Sequence, residues 1–222
     1  MIDTVIFDLD GTLLDTLEDL TDSVNYAMER FGYPVHTLEE VRSFVGNGAP
    51  KLIERSIPQG VENVSYEEVL GTFKEHYAAH CEDKTKPYGG VEEMLDALQK
   101  QGYRMAVVSN KFDGAVKKLC KKYFGTYIVT AIGESAEVKR KPAPDTVYRA
   151  LGELAADASS AVYVGDSDVD IQTAGNVPMR CISVTWGFRT REQLRQAGAR
   201  DELTIRAPQE LPNLLLRLRQ EA

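Results

Sequence analysis

Residues 4–16 read TVIFDLDGTLLDT, an apolar run of Val5, Ile6 and Phe7 that leads directly into two aspartates, Asp8 and Asp10, one residue apart. The run is short, branched at Cβ and barely alternates, which is the pattern of a strand covered on both faces. Carboxylates this close raise each other's pKa and repel. A fold tolerates them where something positive, ordinarily a metal ion, sits between them. The stretch therefore calls for a cation and a reaction at the end of a buried strand.

Four more runs of the same kind follow, at residues 104–108, 127–132, 161–164 and 180–184. Helical amphipathic stretches are predicted at 91–100, 114–123, 145–155 and 168–176. Strand and helix in alternation imply right-handed crossovers and an α/β fold, a Rossmann-like, doubly wound parallel sheet. Residues 16–85 interrupt this order with helical periodicity and no strand pattern. They are expected to form a separate all-helical domain inserted into a core of 1–15 and 86–222. Thr37 with Glu40 and Ser65 with Glu68 predict capping boxes, Pro50 suits a first helical position, and Gly32 suits the end of a helix begun near Thr16. The junctions at Leu14-Asp15-Thr16 and Lys86-Pro87-Tyr88-Gly89-Gly90 look hinge-like.

A chain of 222 residues with 43% hydrophobic content has enough apolar matter for a core. With 26 basic and 34 acidic residues the net charge is -8, which offers no basic field to nucleic acid or to an anionic membrane. Any anionic substrate must be held by local groups. Cys81, Cys120 and Cys181 are odd in number and widely spaced, so they predict reduced thiols and a cytoplasmic location rather than disulfides or zinc. No signal peptide or membrane span is expected, because Asp8 and Asp10 interrupt the first apolar run and no run of about 18 apolar residues exists. A monomer or homodimer is expected.

In open α/β sheets ligands bind beyond the carboxyl ends of the strands. The first strand end carries Asp8 and Asp10. The second, in MAVVSNK, carries Ser109 and Asn110, and the fourth, in AVYVGDSDVD, carries Asp166, Asp168 and Asp170. Lys141, in KRKPAPD, precedes the helix that leads to the fourth strand. Each of these alone is common in turns and helix caps. Their joint placement suits phosphate chemistry: a phosphate monoester is a dianion, and a carboxylate nucleophile can approach it only where a divalent cation and a lysine offset the charge. Hard oxygen donors, with no imidazole or thiolate, suit Mg²⁺. His36, His76 and His80 all fall in the insertion and are read as surface or half-buried helix residues.

The four elements resemble, in order and spacing, the signature of the haloacid dehalogenase-like phosphohydrolases. The resemblance covers the whole chain and implies that the insertion is a helical cap. It implies that Asp8 is the nucleophile, Asp10 the general acid and base, and Lys141 the charge-balancing lysine. Thr12, Ser109 and Asn110 would contact the substrate's phosphoryl group. Asp8, Asp10 through a nearby backbone carbonyl, Asp166 and Asp170 would serve the metal site, while Asp168 would be a helix cap or solvated. Gly46-Asn47-Gly48 would be the substrate-binding loop of the cap. That loop and residues 184–199, VTWGFRTREQLRQAGA, are similar to family members that hydrolyse 2-phosphoglycolate. Pyrophosphate, nucleoside monophosphates and sugar phosphates remain alternative substrates. A β-phosphoglucomutase-like activity is disfavoured by Leu20, which stands where those relatives carry His. A signalling receiver would carry its acceptor aspartate at a later strand, and a binding module would have lost Asp8 or Asp10.

Overall fold

The computed structural model describes residues 1–220. The chain divides into two compact units, Asp15–Lys86 and the remainder, Met1–Leu14 with the chain from Pro87 onward.

The larger unit is built on a six-stranded sheet of β1 (Thr4–Phe7), β4 (Arg104–Phe112), β5 (Thr130–Glu134), β6 (Ala161–Gly165), β7 (Arg180–Val184) and β8 (Thr204–Ile205). Two further short strands, β2 (Leu14–Asp15) and β3 (Lys86–Pro87), pair with each other where the chain passes between the units. The large sheet runs in the order β5-β4-β1-β6-β7-β8, with every pairing parallel. Strand β1 lies at the switch point: Thr4 pairs with Arg104 on one side and with Ala161 on the other. From β1 the chain moves outward to β4 and β5 and then crosses back to β6 on the other side of β1, so the carboxyl ends of β4, β1 and β6 frame one crevice.

Helices α5 (Val91–Lys100), α6 (Asp113–Phe124), α7 (Asp145–Glu153), α8 (Asp168–Asn176), α9 (Arg191–Gln196) and α10 (Glu210–Gln220) belong to this unit. One core face joins Ile6, Ala106, Val108, Ile132 and Tyr163 of the sheet to Val147, Ala150 and Leu151 of α7. These strands are apolar because water is kept from both faces, as the lack of alternation implies.

β2 and β3 are not among the expected strands, and within the large sheet β4, β5 and β8 differ from expectation. β4 runs on through Ser109, Asn110 and Lys111 to Phe112, with a register shift against β5 between Val108 and Phe112. β5 starts at Thr130, because the amides of Tyr127 and Ile128 still bond the carbonyl of Phe124 and extend the end of α6. β8, two residues long, carries too little pattern to be read from sequence.

The smaller unit contains α1 (Leu17–Arg30), α2 (Leu38–Phe44), α3 (Gly48–Ser56) and α4 (Tyr66–His80). α1 ends as expected at Gly32, whose amide bonds the Glu29 carbonyl. Thr37 and Glu40 form the predicted capping box. Ser65 does not: its backbone is not extended (ψ 6°), its side chain makes no cap bond, and its own amide donates to Asn63 Oδ1 at 2.9 Å. Pro50 is the third residue of α3 rather than the first, because the helix opens at Gly48. No helix among the described residues is long and apolar enough to cross a membrane.

Candidate active site

The first strand end is shaped by its leucines. Leu9, Leu13 and Leu14 are fully buried, so Leu9 anchors the chain in the core between the two aspartates. The amides of Leu13 and Leu14 bond the Leu9 carbonyl, and that of Gly11 bonds Leu14, which closes a tight turn. Gly11 takes φ +85°, and a side chain there would collide with the carboxyl group of Asp166. A side chain at Gly187 would strike both the Gly11 carbonyl and Asp166. Asp166 is thus wedged between two backbones that only glycine lets so near.

Lys141 lies at the centre, with its side chain 2% exposed. Its Nζ stands 2.8 Å from Asp8 Oδ1 and 2.8 Å from Asp170 Oδ1, and it donates to the Tyr163 hydroxyl at 3.0 Å. Asn110 fixes the loop that carries it. The Asn110 amide donates to the Lys141 carbonyl at 3.0 Å and its Oδ1 accepts the Lys141 N–H at 2.7 Å. Asn110, expected against the substrate, therefore touches the backbone of the lysine.

Both oxygens of Asp170 are engaged. Oδ1 accepts from Lys141 and, at 3.0 Å, from Tyr163; Oδ2 accepts from the Ser167 amide at 3.0 Å and its hydroxyl at 2.6 Å. Ser167 and Asp170 form the capping box that starts α8, so the cap is Ser167 and not Asp168. Asp168 instead faces Arg189 at 3.6 Å. Asp166 Oδ2 accepts the Phe188 amide at 2.7 Å, and Thr12 Oγ1 lies 3.4 Å from its Oδ1. Thr12 also offers its carbonyl to Trp186 Nε1 at 3.0 Å.

The electrostatics follow from burial. Burial raises the Asp8 carboxyl well above the ordinary range. Lys141 pulls it back, and Asp170 and Asp166 push it further up. Burial, then the charge of Asp170, lifts Asp166 to about 7. Burial works against the Lys141 ammonium, yet Asp170 and Asp8 outweigh it and hold that pKa above its usual value. Three acids share one lysine, so without a further cation the cluster can keep its carboxylates ionised only against this upward push.

Oxygens of Asp8, Asp166 and Asp170 come within 4.8 Å of one another, the grouping that a metal ion needs. With Asp170 spent on Lys141, Tyr163 and Ser167, the donors facing that position are the carboxylates of Asp8 and Asp166. All are hard oxygen, and the surplus of acids over the one lysine supplies the reason for a hard cation, so the residues fit a divalent ion.

Asp10 has a different set of partners. Its Oδ1 is 2.9 Å from Lys111 Nζ and its Oδ2 is 3.4 Å from Ser109 Oγ. The larger unit thus brings together Asp8, Asp10, Thr12, Ser109, Asn110, Lys141, Asp166 and Asp170. Gly46, Asn47 and Gly48 belong to the helical unit. There Gly46 and Gly48 take φ +126° and +82°, and Asn47 Oδ1 accepts from Arg55 Nη2 at 2.9 Å. Arg55 also donates to the Phe44 carbonyl at 2.6 Å, and Lys51 pairs with Glu54.

Sequence reading missed Lys111, Tyr163 and the supports from Trp186, Gly187 and Phe188. Lys111 was legible in principle: a lysine two residues after Ser109 in a continuing strand shares its face. Tyr163 was hidden inside an apolar run, where a buried hydroxyl resembles any core aromatic.

Residues 5–184 match the family described as haloacid dehalogenase-like hydrolase. A phosphoglycolate phosphatase of Pseudomonas syringae pv. syringae is 35% identical over 190 residues, spanning 83% of this chain and 70% of that protein. One of Mesorhizobium japonicum is 32% identical over 191 residues, 84% of either chain. A solved structure from Lactobacillus delbrueckii, provisionally described as a phosphoglycolate phosphatase, superposes with a TM-score of 0.89 at 35% identity, covering 95% of this chain and 96% of its own. The chain belongs to the haloacid dehalogenase-like hydrolase family. Within that family it is a phosphatase.

Proposed function

We propose that the chain hydrolyses 2-phosphoglycolate with the help of Mg²⁺, through a phosphorylated Asp8. The observation that carries this reading is the buried array in which Lys141 bridges Asp8 and Asp170 at 2.8 Å each, with Asp10 and Ser109 in contact at the ends of the strands β1 and β4. Asp8 attacks phosphorus, the bond to the ester oxygen breaks, and Asp10 gives that oxygen a proton. Asp10, now a carboxylate, takes a proton from water as the water oxygen displaces Asp8 from phosphorus. Ser109 and Lys141 hold the phosphoryl oxygens, and Asp170 with Tyr163 holds Lys141. Mg²⁺, held by Asp8, Asp166 and a backbone carbonyl near Asp10, would neutralise phosphoryl charge and let one anion approach another.

The helical unit serves as the cap and works in a reducing, cytoplasmic compartment, which the free thiols of Cys81, Cys120 and Cys181 suit. Its glycine-flanked turn at Asn47 opens α3, and helix amides with the nearby Arg55 form a receiver for the substrate carboxylate. A charge-assisted hydrogen bond contributes about 1.5–3 kcal/mol, or roughly ten- to a hundredfold in specificity. The test compares kcat/KM for 2-phosphoglycolate and ethyl phosphate, which lacks the carboxylate. A ratio of about ten or more is expected, and Asp8→Asn should abolish release from both. Equal values for the two esters would remove the substrate assignment. Turnover retained in Asp8→Asn would remove the covalent route.

A further inference from the structure

The larger unit buries a second lysine close to the reacting groups, and the reaction as derived above leaves it unused. The side chain of Lys111 is 4% exposed, and its Nζ lies 2.9 Å from Oδ1 of Asp10, itself 14% exposed. Burying an ammonium is costly unless it is paired, so the contact with Asp10 is what offsets the burial of this lysine.

The strand explains how it gets there. β4 continues past Val108, and side chains along a strand alternate between faces. Asn110 turns one way, onto the backbone of Lys141, while Ser109 and Lys111 turn the other way, onto the two oxygens of Asp10. The amide of Lys111 donates to Ser109 Oγ at 3.2 Å, which ties the two together. The register shift against β5 falls on this same stretch. One irregular segment thus serves Lys141 from one face and Asp10 from the other.

We propose that Lys111 is the positioning residue of Asp10. It pins one carboxyl oxygen from the core side, so that the group meets the ester oxygen at a fixed angle. This role rests on the phosphoryl-transfer reading of the site. Proton donation by a well-placed acid contributes typically 10²- to 10⁴-fold, and that benefit depends on geometry. It matters when an alkoxide leaves and little when a stable phenolate leaves, so the leaving group reports on the placement of Asp10.

The experiment measures kcat/KM for ethyl phosphate and p-nitrophenyl phosphate in native protein, Lys111→Met, Lys111→Gln and Lys111→Arg. This parameter covers only the steps through departure of the leaving group, so the attack of water, common to both esters, does not enter. The expected result is a loss of about a hundredfold on ethyl phosphate in Lys111→Met and Lys111→Gln, with less than about tenfold on p-nitrophenyl phosphate. Lys111→Arg should recover part of the ethyl phosphate activity, because it keeps the charge near Asp10. Should Lys111→Met not fold, the contrast between the Gln and Arg variants reads the same quantity. Equal losses on both esters, or no loss on either, would overturn the role of Lys111 and leave the phosphatase reading standing. Native protein inactive on both esters would overturn that reading and this role with it.

Discussion

Two regions of this molecule are rich in acids and cations, and they differ in what surrounds them. At the strand ends, Lys141 sits 2.8 Å from Asp8 with side chains 2% and 10% exposed. In the helical unit, Lys84 sits 2.6 Å from Asp22 with side chains 48% and 53% exposed. The surface contact is the shorter, yet water screens it, and such pairs are worth little. A cleft of about 420 Å³ beside Asp22, Glu29, His76, His80 and Asp83 is as well supplied with titratable groups as the strand ends. Partial burial and the neighbouring His80 lower the pKa of His76 there. Full burial at the strand ends instead pushes Asp166 to about 7 and leaves the charges dependent on one another. Distance alone does not separate a reactive cluster from a decorated surface; the dielectric around it does.

The strongest way to break this comparison is Lys141→Met. Removing one partner of a buried pair leaves uncompensated charge, a loss of about 3–5 kcal/mol, and the variant should also lose phosphate release. Chemical denaturation at pH 7.5 measures the first effect. A change below about 1 kcal/mol would show that water reaches the cluster and that burial is not what distinguishes it.

A second test changes pH in protein stripped of metal with a chelator. Asp166 has a higher pKa folded, about 7, than its ordinary value of 3.8, and Asp8 moves in the same direction. Between those values the native state binds more protons than the unfolded state, so stability falls as pH rises from about 4 to about 7. Lys141 is raised as well, but it changes protonation only above its ordinary range and contributes no slope there. The melting temperature of stripped protein should therefore drop between pH 5 and 7.5. Added Mg²⁺ should restore it most at the upper end, where protons compete least. A melting temperature independent of both would mean that the acids are not coupled as their burial requires.

How much of this was legible depends on where polarity interrupts an apolar pattern. Asp8, Asp10, Ser109 and Asp166 stood out because each follows a run that nothing polar should end, whereas Lys141, in KRKPAPD, drew notice only in company with them. Tyr163 and Lys111 did not, since one hides within such a run and the other lies beyond its expected end at Val108. The partner of Asp170 was equally silent, because a capping box and a lysine support read alike as an acid three residues after Ser167. β1 and β7 coincide with their apolar runs, whereas β5 shifted by the length of one helical turn end. Sequence pattern reports which residues are buried. It does not report which buried polar atoms face one another.

The smallest expected effects lie in the helical unit, and they sharpen the comparison because the two kinds of acid are neighbours there. Asp19 is buried, and its carboxylate accepts the amides of Lys84 at 2.9 Å and 3.2 Å and of Thr85 at 2.9 Å. Asp22, three residues along α1, meets the exposed Nζ of the same Lys84. One residue thus takes part in a buried contact through its backbone and an exposed one through its side chain. Asp19→Ala would leave buried amides without their acceptor, a loss of about 1–3 kcal/mol. Lys84→Met removes only screened pairs, with Asp22 and Glu18, and keeps the backbone bonds, so its melting temperature should stay within about 2 °C of native. Paired thermal melts decide it. If Lys84→Met cost as much as Asp19→Ala, exposure would not be the property that separates these contacts, and the contrast drawn between the strand ends and the surface would fail with it.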